Sequence, residues 1–157
     1  VKGFDAELSY MWKRNLELTF NISYNDSRNL KKYKEDGNPN ATYKNRVPNK
    51  PWVFSNASLA YNFYGLLDKT SHLRLSYDFQ YVHWYYLNWE EWGVKSSKAV
   101  IPTQCVSNVG LSYSWHSDRY TFSAECSNIF NKVTYDNYML QKPGRAFYAK
   151  FRLYLSR

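Results

Sequence analysis

Apolar and polar side chains alternate strictly along much of this chain. Phe4, Ala6, Leu8, Tyr10 and Trp12 alternate with Gly3, Asp5, Glu7 and Ser9. After Lys13-Arg14-Asn15 the pattern resumes, with Leu16, Leu18, Phe20, Ile22 and Tyr24 set against Glu17, Thr19, Asn21, Ser23 and Asn25. A period of two over such lengths is a strand with one apolar and one polar face; a helix would send Leu16 and Leu18 to different sides. The pattern returns through Val53–Phe63, Leu73–Tyr81, Val109–Trp115, Tyr120–Cys126 and Phe147–Leu155. It predicts seven strands and no convincing helix.

The connections alternate in length. Lys13–Asn15, Gly65–Ser71 and Ser117-Asp118 are short. The stretches 26–50, 88–104 and 131–143 are long and polar, the first holding Gly37, Pro39 and Pro48. Short turns at one end and long loops at the other, joined by strands of about 9–11 residues, are the pattern of an antiparallel up-and-down meander in a transmembrane β-barrel. Aromatics gather near strand ends (Tyr10, Trp12, Trp84, Tyr86, Tyr113, Trp115, Tyr120), where a membrane interface favours them. The residues alone leave a second architecture open, a soluble two-sheet protein whose apolar face meets another sheet.

Composition narrows the classes. Aromatics are 20% of 157 residues, too many for a disordered chain. No apolar run approaches the 18 or so residues of a helical membrane span. Two cysteines make no disulfide scaffold. Cys105 and Cys126 fall on neighbouring strands, but the turn at Ser117-Asp118 offsets them by four positions, which predicts two free thiols, the alternative being a disulfide enabled by a bulge. The formal charge of +8 raises nucleic acid and anionic membrane surfaces as partners.

Three stretches resemble a known family. The opening Val1-Lys2-Gly3-Phe4-Asp5-Ala6-Glu7-Leu8 is similar to a strand of the C-terminal half of TonB-dependent outer-membrane receptors. Pro48-Asn49-Lys50-Pro51-Trp52 resembles the start of another of the family's strands. Ser127-Asn128-Ile129-Phe130-Asn131-Lys132, followed by Tyr135-Asp136-Asn137-Tyr138 and the run Pro143-Gly144-Arg145-Ala146-Phe147, resembles the family's last loop and closing strand, with a flavour of Bacteroides-like receptors. The resemblance spans essentially residues 1–157.

It implies the C-terminal segment of a receptor barrel that has 22 strands in the family. The implied function is active outer-membrane uptake of a nutrient such as an iron chelate (a siderophore), cobalamin, a glycan or a peptide. These strands would form wall and ligand-contacting loops. The implied partners are the rest of the barrel and the plug, the TonB complex acting through the plug, lipopolysaccharide, and a lid lipoprotein. The plug that precedes the barrel in the family has no counterpart in these residues, so the chain is expected to be a piece of a longer one. On this reading Leu16, Leu18, Phe20, Ile22, Phe147, Phe151 and Leu153 face lipid. Glu17, Thr19, Asn21, Lys150 and Arg152 face the lumen.

Candidate chemistry is sparse. His72, His83 and His116 each sit near a strand end or turn, with no metal-ligand spacing. No cofactor motif and no nucleophile motif occurs. Glu90-Glu91 is an acidic pair between Trp89 and Trp92, but adjacent carboxylates diverge, so no enzyme is expected. Trp84, Trp89 and Trp92 fit an aromatic ligand contact better. Lys31, Lys32, Lys34, Lys44, Arg46 and Lys50 form a basic loop with Tyr33 and Tyr43 interleaved, which resembles a single-strand nucleic-acid groove. No RNP-like or OB-like motif is evident and the alternation extends over more strands than an OB fold has, so nucleic acid is not expected as a partner. The expected ligand-contacting loop residues are Tyr33, Tyr43, Arg46, Trp89, Trp92, Tyr138 and Arg145. The alternative reading is a soluble β-sheet binding module for carbohydrate or nucleic acid.

Overall fold

A computed structural model of the protein describes residues 1–89, 96, 98–136 and 139–155. Seven long strands form one antiparallel sheet: β1 (Lys2–Trp12), β2 (Leu16–Asp26), β3 (Val53–Tyr64), β4 (His72–Val82), β7 (Gln104–Trp115), β8 (Tyr120–Ser127) and β9 (Ala146–Leu153). Their order in the sheet is their order in the chain. Two short strands, β5 (Tyr85–Tyr86) and β6 (Val100–Ile101), pair with each other inside the β4–β7 connection. The described residues contain no α-helix. The sheet is an all-β meander consistent with an arc of a β-barrel wall.

Register keeps the two faces separate across all seven strands. One row runs Leu18, Leu59, Tyr77, Val109, Cys126 and Phe147. The neighbouring row runs Thr19, Ser58, Asp78 and Asn108. A slip of one residue would invert every side chain, so this agreement specifies the register. The polar face is cross-linked. Asn56 donates to Asn21 at 3.1 Å, and Ser58 donates to Asp78 at 2.5 Å. Toward the short turns, Arg74 grips Glu17 with two nitrogens at 2.9 and 2.7 Å. Asn62 ties both partners, donating to Glu17 at 3.0 Å and accepting from Arg74 at 3.2 Å.

Among the described residues no second layer covers the apolar face. Among the described residues the buried hydrophobics are Ala60, Tyr85 and Ile101, while Leu8, Phe20, Leu59, Phe122 and Phe151 stand exposed. A two-sheet protein would bury such a face against a partner about 10 Å away. Two aromatic belts bound the face instead. Toward the short turns, Trp115 stacks between Tyr113 and Tyr120, each at 5.5 Å. Tyr61 lies 4.6 Å from Phe63 at the same end. At the other end Phe4 stacks on Tyr24 at 5.8 Å.

The turns follow the expected residues. Lys13 and Arg14 both take positive φ, as do His116, Ser117 and Asp118. The second turn pairs Trp115 with Tyr120 and brings Val109, not Cys105, opposite Cys126. Both thiols are free. The 65–71 link docks on this turn: Ser117 N–H donates to the Thr70 hydroxyl at 3.2 Å, and His72 lies 3.2 Å from Asp118. His72 is therefore less isolated than its sequence neighbourhood implied. Strand β7 begins at Gln104, well before Val109, because Ser107 breaks the apolar alternation without breaking the strand. Its hydroxyl is 2.9 Å from that of Tyr77, which hides a polar group on the apolar face.

Candidate functional site at the long-loop end

The three long connections emerge from one end of the sheet, residues 27–52, 83–103 and 128–145. The first is a built arm. Its two limbs bond backbone to backbone, through Val47 to Ser27, Asn29 to Asn45 and Asn40 to Lys32. Asp36 shapes the tip. Its carboxylate accepts from the backbone and then the side chain of Asn38, which holds it below the usual carboxylate range. Residues 27–50 hold seven of the 21 basic side chains and two of the 13 acidic ones. More than half of the chain's formal charge therefore stands on this arm.

Arg46 holds the arm down. Its guanidinium lies 3.6 Å over the Trp52 ring and 3.5 Å from Asp26, which also receives Arg28 at 2.9 Å. This engagement occupies the side chain expected to meet ligand. Arg46→Ala is expected to release the arm. Limited digestion with endoproteinase Lys-C should cleave at Lys31, Lys32, Lys34 and Lys44 several times faster than in the unchanged protein. Equal cleavage rates would show that the stack does not anchor the arm.

Trp52 begins an aromatic chain. Trp84 meets it edge-on at 4.6 Å, His83 lies 5.3 Å away, and Tyr86 meets Trp84 edge-on at 5.4 Å. The Tyr81 hydroxyl reaches His83 Nδ1 at 2.7 Å, and Lys98 caps Tyr86 at 4.9 Å. Trp84, expected as part of an aromatic contact, belongs to this cluster. Trp52 and His83 enter it through register, since the strand pairing continues from β3–β4 past Phe54 and Val82.

A pocket of about 530 Å³ opens on the polar face beneath the second and third loops. Its floor is Gln80 and Val82 of β4, Gln104, Val106 and Asn108 of β7, and Ser127 of β8. Its rim is Tyr85, Thr134, Tyr135, Asp136 and Lys142. Local bonds build that rim. Asn128 spans to Lys132 with both amide atoms, Asn108 accepts from Asn128 N–H at 2.9 Å, and Gln104 Oε1 accepts from Tyr135 N–H at 2.7 Å. Gly144 passes close to Asn131, where a Cβ would meet Oδ1 at 2.5 Å, and the same oxygen accepts from Arg145 N–H. A larger residue there would push this oxygen aside and disturb its bond to Arg145.

The expected contact residues are thus dispersed. Tyr33 stands exposed at the arm, where it bridges Pro39. Tyr43 lies between Lys32 and Lys44, at 5.9 and 5.4 Å. Trp89 is half-buried in the second loop. The Arg145 side chain is exposed, without an ion-pair partner among the described residues. Trp92, Tyr138 and the Glu90-Glu91 pair lie outside the described residues. Among the described residues no cluster of His, Cys, Asp and Glu is arranged to hold a metal ion. Sequence reasoning missed Tyr85, Gln104 and Thr134. Only Gln104 carried a signal, since it extends the polar alternation of Val106 and Asn108 backwards.

No protein-family profile and no curated sequence matches this chain. Among solved structures it is similar to the FrpB iron transporter from Neisseria meningitidis (F3-3 variant), with a TM-score of 0.66 at 19% identity. The superposition covers 95% of this chain and 22% of the transporter's, so the chain spans about a fifth of that protein's length. The seven-stranded meander described above is therefore a fold also found within a protein several times longer, and that fold is what the likeness shows.

Proposed function

We propose that this chain is a wall segment of a TonB-dependent outer-membrane receptor that imports a scarce nutrient. The observation that carries this reading is the one-layer sheet, whose uncovered apolar face lies between two aromatic belts. In water such a face is a liability; in hydrocarbon it costs nothing. The polar face then lines a lumen, where a plug from the same receptor would sit and pass on the pull of the TonB complex. The open edges at β1 and β9 join the remaining strands, because an unpaired edge cannot face lipid. The long loops face outward, and the cationic arm meets lipopolysaccharide phosphates. A lid lipoprotein would close over the same end. The likeness in fold to an iron transporter supports uptake as the activity and leaves the nutrient open.

Fractionation tests this. An antibody raised to residues 135–154 should detect, in outer membranes of the source cells, a denatured band several-fold heavier than 18.8 kDa. A band near 18.8 kDa in the soluble fraction would sink the transport reading and favour a self-contained binding module.

A further inference from the structure

Three polar side chains of largely buried residues open on the pocket beneath the second and third loops. Tyr85 is 5% exposed, yet its hydroxyl makes no hydrogen bond among the described residues. Gln104 is 7% exposed, and its oxygen is taken by Tyr135 while its amide nitrogen is not. Thr134 is 4% exposed with its hydroxyl equally unused. Arg46 Nη1 is the one enclosed side-chain nitrogen or oxygen without a hydrogen-bond partner among the described residues, so these three polar atoms are open to the cavity, where their donors converge and can meet a guest.

The lining also states what kind of guest. Among the described residues its formal charges are one carboxylate, Asp136, and one ammonium, Lys142. The seven cations of the arm contribute nothing to it. An anionic chelate would call for guanidinium forks or clustered lysines. Amides and hydroxyls beside tyrosine rings instead match a molecule that donates and accepts through many hydroxyls and offers C–H faces for ring contact. The volume, about 530 Å³, lies within the usual range for small-ligand pockets, roughly 300–1,000 Å³.

We infer that this pocket is a subsite for an uncharged, polyhydroxylated ligand, a short oligosaccharide, held by Tyr85, Gln104 and Thr134. The inference deepens the transport reading and rests on it for its direction of access. Burial, then the nearby Asp136 charge, raises the Tyr85 phenol above its ordinary value, so the hydroxyl keeps its proton at all physiological pH. A donor of this kind suits a neutral acceptor.

The test uses the whole protein purified in detergent, with maltotriose, cellotriose and triacetylchitotriose as neutral probes and ferric citrate as the anionic contrast. Binding is read by tryptophan fluorescence and isothermal calorimetry. At least one trisaccharide should bind. Tyr85→Phe keeps the ring and removes one hydroxyl, and should weaken that binding about 3- to 10-fold, the loss of one neutral hydrogen bond. Gln104→Glu keeps the acceptor for Tyr135 N–H and removes the amide donor, and should weaken it similarly. If no trisaccharide binds, if only ferric citrate binds, or if trisaccharide binding ignores both variants, the subsite is overturned. Failure of the transport reading shows separately, as soluble protein on fractionation. A soluble protein that bound a trisaccharide through Tyr85 would keep the subsite and lose the transporter.

Discussion

Leu59→Arg is expected to cost the folded protein about 2–4 kcal/mol, enough to deplete it from the outer membrane. Leu59 sits midway along β3 in the central apolar row, with Leu18 and Tyr77 on either side and no protein atom layer above it. On the proposed reading a guanidinium there enters the middle of the hydrocarbon. The cost should fall to about 0–1 kcal/mol for Phe63→Arg, near the short-turn belt, because lipid-facing charge is penalised by depth. Thr19→Arg, one row away on the polar face, should be nearly neutral. Urea titration of protein refolded into vesicles, with cold gel mobility marking the folded form, measures all three. Equal losses at Leu59 and Phe63 would contradict a lipid-facing surface and point to a protein partner covering it uniformly.

The second large effect is expected at Arg74. It makes three hydrogen bonds, two to Glu17 and one to Asn62, across β2, β3 and β4. Hydrogen bonds to charged groups contribute about 1.5–3 kcal/mol each at most, and both side chains here keep over 30% exposure, which places the loss at the low end. Arg74→Leu is therefore expected to cost about 1.5–2 kcal/mol, most of it from stranding the Glu17 carboxylate. A double-mutant cycle with Glu17→Gln should give a coupling of about 1 kcal/mol. Arg74→Lys should recover less than half of it, since an ammonium cannot present the same fork. A coupling indistinguishable from zero would mark the pair as solvated and incidental.

The strands were legible because the signal for them is local. Period-two alternation needs no knowledge of what lies across the sheet, and Ser117-Asp118 sets the β7–β8 register from four residues. That arithmetic alone kept Cys105 away from Cys126, as the sheet does. The loops were legible only as loops. Nothing periodic marks the ladder within 27–47, or the pairing of Tyr85 with Ile101. Arg46 is conspicuous in the sequence only for its charge, whereas its position is set by Trp52, which packs beneath it, and by Asp26 beside it. Tyr85 looked like one interfacial aromatic among 16 tyrosines. Its burial depends on where two loops cross, and no spacing encodes that.

Every long strand pairs its backbone only with the long strands before and after it in the chain. Removing or duplicating one hairpin away from the Glu17–Asn62–Arg74 link would therefore leave every other backbone pairing and every face assignment as it is. A wall built this way can change its circumference in steps of two strands without redesign of its remaining residues. Gene duplication and loss can thus alter the bore of such a protein while selection acts separately on the loops that crown it.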